Sequence, residues 1–385
     1  MAEAYIVSAL RTAGGRRNGR LSAWHPVDLG AKVLDAAVAR AGVPGAAIDD
    51  VIIGCVTQAG EQSMHVGRHC VLASNLPQSV PAVTIDRQCG SSQQAIQFAA
   101  QAVMSGVQDI VIAGGVESMT RVPMGSALRS PEGSDPLPKS IKEKYGIEAF
   151  SQFAGAEMIA KKWGFTRDML DAYGLESHLR AQRATKSGAF TQEILPIEID
   201  VGGVHRHEAD EGIRWDASLE SMKGVKLLME GGVISAATSS QVTDGAAAVV
   251  VASERAVKEH GLTPLARIVN MTVTAGDPVI MLEEPLFATE KALTRAGLTL
   301  SDIDLYEVNE AFAPVPMAWL KHLGADPAKL NVNGGAIALG HPLGATGAKL
   351  MTTLIYALKA RGGKYGLQTM CEGGGIANVT IIEAL

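Results

Sequence analysis

A cysteine at position 89 lies where a strand-like pattern changes into a helical one. The run from Val83 to Ile85 is β-branched, whereas Gln93 to Met104 has helical spacing with few helix-breaking residues. The start of a helix offers unpaired N–H groups and a partial positive charge, and both stabilise a thiolate. Cys89 is therefore a candidate nucleophile, with a buried structural thiol as the alternative.

Two glycine-rich stretches near the C-terminus contain groups that could serve as the base and the second proton carrier that such a nucleophile needs. His341 precedes Pro342, which disfavours helical geometry and places the imidazole on a turn. Cys371 precedes the glycines 373–375, whose flexible backbone can approach a substrate and point N–H groups at its oxygen. A cysteine, a histidine and a second cysteine, each on its own loop, favour nucleophilic catalysis over a structural thiol.

The elements that must position these loops form an α/β pattern. Continuous apolar runs at 4–7, 50–55 and 109–113 alternate with helical segments such as 27–41, which predicts a mainly parallel sheet covered on both faces. The same order of elements returns about 255 residues later.

This repeat is visible in two matches. Residues 303–308 correspond to 48–53, and residues 330–360 correspond to 83–103. The sequence therefore predicts a duplicated α/β half, in which the Cys89 and His341 loops lie near corresponding strand ends, where open α/β sheets place ligands.

Residues 121–242 differ from both halves because they are polar, with helices predicted at 155–163 and 167–187. This composition predicts an insertion that covers the site rather than a third core. The predicted domains are an N-terminal half formed by residues 1–120 and 243–263, an inserted loop domain at 121–242, and a C-terminal half at 264–385.

Length and composition restrict the function. A chain of 385 residues suggests two or three domains, and 4% aromatic residues with a net charge of -6 disfavour nucleic-acid and membrane-surface binding. The cysteines at 55, 70, 89 and 371 have neither zinc-ligand nor disulfide-framework spacing, and no signal peptide or membrane-spanning run is present. A cytoplasmic location is therefore expected. No metal site is predicted, because the His65 and His69 pair lacks the glutamate of a zinc-peptidase motif.

Six motifs resemble signatures of the thiolase family, in the family's order and at its spacing. They are Gln-Cys-Gly-Ser at 88–91, Gly-Gly-Val-Glu-Ser-Met at 114–119, Asp-Gly-Ala-Ala at 244–247, Asn-Glu-Ala-Phe at 309–312, Gly-His-Pro-Leu-Gly at 340–344 and Cys-Glu-Gly-Gly-Gly at 371–375. The resemblance covers nearly the whole chain. It implies a duplicated thiolase fold, layered αβαβα, with two similar mixed-sheet halves and an inserted loop domain.

The resemblance also implies roles for the residues of these motifs. Cys89 attacks the keto carbonyl of a 3-oxoacyl-CoA, His341 takes the thiol proton, and Cys371 protonates the acetyl-CoA enolate. The enolate oxygen is held by His341 and by a water fixed by Asn309, and the acyl oxygen by the backbone N–H groups of Cys89 and Gly373. No metal or redox cofactor is implied.

Coenzyme A contacts are implied for the insertion and its surroundings. Ser240 meets the pantetheine, Arg214 and Ser221 the adenine end, and Phe312 is a further contact. Arg214 with the lysines at 223 and 226 forms a basic cluster suited to a phosphorylated ligand, and a solvated charged face is the alternative.

The C-terminal sequence resembles degradative thiolases more than biosynthetic ones. Ser151 and Gln152 stand where short-chain thiolases often have a His-Met pair, which disfavours a dedicated acetoacetyl-CoA synthase. The alternatives are a biosynthetic acetoacetyl-CoA thiolase, a decarboxylating condensing enzyme with His or Asn in place of Cys371, and a non-catalytic acyl-CoA-binding protein. A homodimer or a dimer-of-dimers tetramer is expected, and fatty, branched, aromatic and steroid-derived acyl chains all remain open.

Overall fold

A computed structural model describes residues 2–128, 135–200 and 203–385. Residues 129–134 and 201–202 of the predicted insertion lie outside the described residues. The strands are β1 (Ala4–Thr12), β2 (Gly15–Arg16), β3 (Asp50–Gly54), β4 (Ala82–Ile85), β5 (Ile110–Ser118), β6 (Ile194–Leu195), β7 (Ile197–Asp200), β8 (Val204–His207), β9 (Thr243–Ser253), β10 (Ala266–Ala275), β11 (Leu305–Val308), β12 (Tyr365–Glu372) and β13 (Ile376–Ala384).

The helices include those predicted at 27–41, 93–104, 155–163 and 167–187, each to within three residues at either end. They are α1 (Pro26–Ala41), α2 (Val66–Ala73), α3 (Ser91–Met104), α4 (Lys139–Tyr145), α5 (Gln152–Trp163), α6 (Arg167–Lys186), α7 (Leu219–Lys223), α8 (Glu254–Glu259), α9 (Glu284–Ala296), α10 (Pro314–Leu323), α11 (Ala336–Leu339) and α12 (Thr346–Arg361). Their ends have local causes: α1 begins at a proline that needs no N–H partner, and it ends at Gly42, whose φ of 71° a side chain would disfavour.

The strand order repeats between the two halves. In the first half, the order β4–β3–β5–β9–β1 combines parallel pairing of β3 with β4 and β5 and antiparallel pairing of β9 with β5 and β1. In the second half, β11–β12–β13–β10 repeats it, and Leu330 pairs with Tyr306 where β4 pairs with β3. The predicted duplication is therefore confirmed.

The prediction of a mainly parallel sheet was wrong. The long strands β9 and β13 run antiparallel to both of their neighbours, so each half is a mixed sheet. Continuous apolar runs show that a strand is buried on both faces, but they do not show its direction. The mixed-sheet halves implied by the family resemblance are the ones found.

Helices and sheets form five layers. The central layer consists of α3 and α12, whose apolar side chains share a core with strands of both halves. Helices α1 and α2 cover the outer face of the first sheet, and α9 and α10 cover that of the second. The two central helices therefore start beside each other, in the middle of the molecule.

The inserted segment shares the cores of the halves. Apolar residues of α5 and α6 join the cluster that α9 and α10 form with the second sheet, and β6 pairs with β1. The described part of the insertion thus covers the two halves, and the boundaries at 120, 242 and 263 stay a prediction. Among the described residues, no helix has the length and apolarity needed to span a membrane.

Candidate active site

The nucleophile turn connects β4 to α3. Cys89 lies just before Gly90, the N-cap of the helix, and Gln88 before it has a φ of 47° in the left-handed region that L-residues rarely occupy. Side chains of the turn hold this strain: Asp86 Oδ1 accepts the Gln88 N–H at 2.6 Å, and Ser91 Oγ donates to the Gln88 carbonyl at 2.6 Å. The thiol is therefore fixed by residues within five positions of it.

The resting Cys89 thiol is protonated. Its partial burial, together with the nearby Glu372 carboxylate, raises its pKa to about 12. The expectation of a lowered thiol pKa was wrong, since Cys89 precedes the N-cap and its surroundings disfavour a second negative charge. A base is needed at the moment of attack.

Cys371 lies at the end of β12, paired with Ala377, rather than on the glycine loop where the sequence placed it. The turn itself is formed by residues 373–375. Cys371 is buried, and its burial and the proximity of Cys89 raise its pKa well above the usual range. The two sulfurs therefore lie in one region.

Close packing brings the two cysteine segments together. A methyl group on Gly90 would lie 1.8 Å from Glu372 Oε1, and one on Gly373 would lie 3.0 Å from the Gln88 side chain. The close approach excludes a side chain at position 90, and it places Gly373 against the Gln88 side chain of the nucleophile turn.

The His341 loop is held by residues distant in sequence. The His341 N–H lies 3.1 Å from Thr243 Oγ1 and 3.2 Å from the Gln241 carbonyl, and the Gly344 N–H donates to Glu117 at 2.9 Å. Where the loop enters α12, the Ala348 N–H donates to Ser92 Oγ on α3 at 2.9 Å. The starts of the two central helices thus bring the His341 loop to the Cys89 turn.

Hydrogen bonding fixes the tautomer of His341. Nδ1 lies 2.5 Å from Thr346 Oγ1, whose own hydrogen is donated to the Pro342 carbonyl at 2.9 Å. The hydroxyl must therefore accept from Nδ1–H, which leaves Nε2 unprotonated, with a lone pair that can accept. Burial and the Lys349 charge lower the pKa of His341 to about 3, so the imidazole is neutral and can accept a proton.

Asn309 extends from the end of β11 toward this imidazole. Its Nδ2 lies 3.5 Å from His341 Nε2, and its Oδ1 has no hydrogen-bond partner among the described residues. The next residue, Glu310, accepts from Tyr173, Ser177, Asn331 and the Ile337 N–H. Glu310 thus holds the segment while Asn309 keeps free hydrogen-bonding capacity at the site.

Two of the four predicted coenzyme A contacts line one cavity. Arg214 and Ser221 lie on the wall of a cavity of about 170 Å³, and Arg214 also lines an adjoining one with Arg16 and the exposed Trp215. The Arg214 N–H donates to His178 Nδ1 at 3.2 Å. The mouth offers two arginines and an aromatic ring that could contact a nucleotide, although Glu211 and Asp216 also line it.

The other two predicted contacts lie together elsewhere. The Ser240 N–H donates to the Ala311 carbonyl at 2.9 Å, and Phe312 is buried with its ring 5.7 Å from that of Phe153. Of the predicted basic partners of Arg214, Lys223 is paired with Asp168 at 3.1 Å. The cavity continues from Arg214 to Gln241, whose carbonyl meets the His341 loop.

Comparison with known proteins agrees with this geometry. The protein-family model described as the thiolase N-terminal domain matches residues 4–255, and the one described as the thiolase C-terminal domain matches residues 262–384. The chain belongs to the thiolase family. It is thus a member of a family of acyltransferases.

Two curated thiolases and one solved structure show the extent of the similarity. The steroid 3-ketoacyl-CoA thiolase FadA6 of Mycobacterium tuberculosis is 53% identical over 100% of this chain and 95% of its own length. The 3-ketoacyl-CoA thiolase of Cronobacter sakazakii is 42% identical over 100% of both chains. The crystal structure of the Bacillus anthracis acetyl-CoA acetyltransferase superposes with a TM-score of 0.92 at 38% identity, covering 100% of this chain and 99% of that one.

Sequence reasoning missed several residues of this thiolase site. They are the strained Gln88, which the sequence singles out only as part of the 88–91 motif, the tautomer-setting Thr346 and the exposed Trp215. Trp215 was the best signal, since it is one of four tryptophans and stands next to the predicted contact Arg214.

Proposed function

We propose that this thiolase cleaves a 3-oxoacyl-CoA with coenzyme A, giving acetyl-CoA or another short acyl-CoA and a shortened acyl-CoA. The observation that carries the proposal is a protonated Cys89 thiol at the start of α3, a neutral His341, with no proton on Nε2, on the loop that leads into the adjoining α12, and a second buried thiol, Cys371, near Cys89. This set supplies a nucleophile, a base and an acid without any metal or redox cofactor.

In the first half-reaction, the Cys89 sulfur attacks the keto carbon while His341 Nε2 takes the thiol proton. Collapse of the tetrahedral oxyanion breaks the Cα–Cβ bond and leaves the acyl group on Cys89. The bonding electron pair forms the acetyl-CoA enolate, and Cys371 donates its proton to the enolate carbon. The enzyme then holds an acyl-thioester, an imidazolium and a Cys371 thiolate.

Preorganised donors stabilise both oxyanions. The approach of Gly373 to the nucleophile turn supports a role for the N–H groups of Cys89 and Gly373 at the acyl oxygen. Asn309, with its unpartnered Oδ1, fits a residue that orients a water toward the enolate oxygen beside His341. Each such donor typically contributes a few kcal/mol to the transition state.

In the second half-reaction, the thiol of a second coenzyme A gives its proton to the Cys371 thiolate and attacks the acyl-Cys89. The Cys89 sulfur leaves and recovers its proton from the His341 imidazolium, so that the enzyme returns to its starting state. The cavity lined by Arg214 and Ser221 is the proposed site of the coenzyme A nucleotide. Its wall includes Gln241, whose carbonyl accepts from the His341 N–H, which supports a pantetheine that extends toward His341.

The acyl group is proposed to be bulky, with rings of the steroid type as the first candidate. The support is the 53% identity to a protein named a steroid 3-ketoacyl-CoA thiolase, together with Ser151 and Gln152 at the start of α5 in place of a His-Met pair. A panel of 3-oxoacyl-CoA substrates of graded bulk tests this. Faster thiolysis of the acetoacetyl than of the ring-containing thioester would contradict it and favour the biosynthetic alternative.

We further propose that the chain forms a homodimer through β4, on its own or as half of a tetramer. This four-residue strand ends the sheet, so its outer edge has no partner among the described residues, and Val83 on it is 40% exposed. Light scattering that shows a stable, active monomer would exclude this. A cytoplasmic location stays a prediction from the cysteine usage.

Mass spectrometry of the protein mixed with acetyl-CoA tests the reaction itself. We expect an acetyl adduct on Cys89 in the unmodified enzyme and none in Cys89→Ala. Binding of acetyl-CoA without any adduct would overturn the proposal and support the non-catalytic acyl-CoA-binding alternative.

A further inference from the structure

A cluster of four charged side chains is buried behind the His341 loop. Arg11 on β1, Glu193 and Asp210 in the insertion, and Lys349 on α12 are each at most 4% exposed. The cluster contains two cations and two anions, so its net charge is zero when all are ionised. Burying such a cluster costs desolvation energy, which raises the question of what it does.

Lys349 is the member of the cluster that reaches the active-site loop. Its ammonium donates to the carbonyl oxygens of Leu339 and of Gly340, the latter at 3.2 Å. These are the last two residues before His341, at the C-terminal end of α11, where carbonyl groups lack helical partners. Lys349 therefore holds the backbone that leads into the catalytic imidazole.

The other three residues hold Lys349 in place. Its ammonium lies 3.8 Å from Asp210 Oδ1, and Asp210 accepts two hydrogen bonds from Arg11, at 2.9 and 3.1 Å. Arg11 Nε also donates to Glu193 at 2.6 Å, and Glu193 accepts from Thr353, one turn beyond Lys349 on α12. The first half, the insertion and α12 are thus joined through one network to the His341 loop.

We propose that Lys349 is a positioning residue for His341: its ammonium fixes the two carbonyl groups that lead into the imidazole, and its positive charge disfavours the imidazolium. The inference rests on the proposed role of His341 as the base. A base must be unprotonated before it can act, and a fixed cation behind it favours that state.

The charges around His341 and Lys349 shift their pKa values in directions that agree with this proposal. Lys349 lowers the pKa of His341, in addition to the effect of burial. The pKa of Lys349 itself is lowered to about 8, because burial, together with the Arg11 charge, outweighs the opposing effects of Asp210 and Glu193. At neutral pH the ammonium is mostly charged, so removing its charge should raise the proton affinity of His341.

Three variants separate charge from packing. Lys349→Gln keeps a hydrogen-bond donor and removes the charge, Lys349→Arg keeps both, and Glu193→Gln alters the same cluster at a residue that does not touch the His341 loop. In free enzyme labelled with 13C-histidine, NMR titration from pH 2.5 to 7 reports the His341 protonation state, with His341→Asn assigning the signal. The rate of Cys89 acetylation by acetyl-CoA over the same pH range reports its consequence.

We expect no titration of His341 above pH 5 in the wild type, in Lys349→Arg or in Glu193→Gln. In Lys349→Gln we expect the His341 midpoint and the acid limb of the acetylation rate to move up by about one pH unit or more. If Lys349→Gln does not fold, Lys349→Met carries the same expectation.

An unchanged His341 midpoint in a folded Lys349→Gln protein would overturn the proposal, as would an equal shift in Glu193→Gln. The NMR readout does not depend on acyl transfer. Failure of the wild type to become acetylated would therefore contradict the proposed function without deciding the role of Lys349.

Discussion

The two halves stabilise the equivalent strand-to-helix connection in different ways. In the first half, the link from β4 to α3 is residues 86–90, and it is held by its own side chains, Asp86 and Ser91. In the second half, the corresponding link from Leu330 to α12 is residues 331–345. It is held from distant segments by Thr243 and Glu117, and from α12 itself by Lys349. The nucleophile is therefore positioned locally, and the base by tertiary contacts.

A second pair of equivalent positions also differs in role between the two halves. The register of β3 with β5 ends at Gly54 and Gly115, and that of β11 with β12 ends at Val308 and Thr369. Glu117 and Cys371 each lie two residues beyond these ends. The first half thus places a loop-bracing carboxylate where the second half places the proposed acid.

The largest predicted effect is the separation of the two cysteines. Cys89→Ala should lose thiolysis by about 10⁴-fold or more and form no acyl adduct, because the covalent route is closed. Cys371→Ser should still be acetylated on Cys89, but it should fail to exchange the α-protons of acetyl-CoA with deuterium, measured by mass spectrometry. Equal loss of acetylation in two folded variants would show that the roles are not divided in this way.

Removing the Glu117 carboxylate, which holds the His341 loop, should disturb the position of His341 more than that of Cys89. Glu117 accepts hydrogen bonds from the Val56, Thr57 and Gly344 N–H groups and from Gln62 Nε2. Glu117→Ala should lower the free energy of unfolding by about 3 kcal/mol and the acetylation rate by on the order of 10²-fold, because buried donors are left unpaired.

Urea unfolding and adduct formation measure these two effects. Glu117→Gln is the matched control, since it keeps the shape and one acceptor oxygen, and it should lose less of both. Full acetylation in a destabilised Glu117→Ala protein would show that the base does not depend on this contact.

A smaller effect is expected when the hydrogen bond that sets the His341 tautomer is removed. Thr346→Val removes the acceptor of His341 Nδ1–H, so the ring loses its fixed orientation, and the acetylation rate should fall by about tenfold. Thr346→Ser keeps the hydroxyl and should stay within about twofold of the wild type. If the two variants are equally active, the Thr346 hydroxyl does not set the tautomer.

The same contrast explains what the sequence could predict. The periodicity of apolar residues and the short motifs were enough to identify Cys89, His341 and the repeat at 303–308, because apolar spacing and turn residues are local properties of the sequence. Strand direction and the place of Cys371 on β12 depend on segments far apart in the chain. So does the raised Cys89 pKa, which is caused first by burial and then by the Glu372 charge. His207 stands in a polar stretch of the sequence, yet it is fully buried, and its Nε2 lies 3.0 Å from the Ala13 carbonyl of the first half. Thr346 could not be recognised without the fold.

The smallest predicted effect concerns Glu372, where the second half packs against the nucleophile turn. Both of its oxygens are buried without a hydrogen-bond partner among the described residues, and burial raises its pKa to about 8. A carboxyl whose pKa is raised on folding binds more protons in the folded than in the unfolded state, so its contribution to stability falls as pH rises from about 4.5 to about 8.

Above that range the Glu372 carboxylate also opposes the thiolate that forms on Cys89. In Glu372→Gln, the ratio of acetylation rates relative to wild type should therefore rise by about threefold between pH 7 and pH 9. The free energy of unfolding should also change less with pH in the variant than in the wild type between about pH 4.5 and about pH 8. Parallel pH profiles for the two proteins would mean that Glu372 does not change charge near Cys89, and that the electrostatics of the nucleophile turn, like its geometry, are set within the turn.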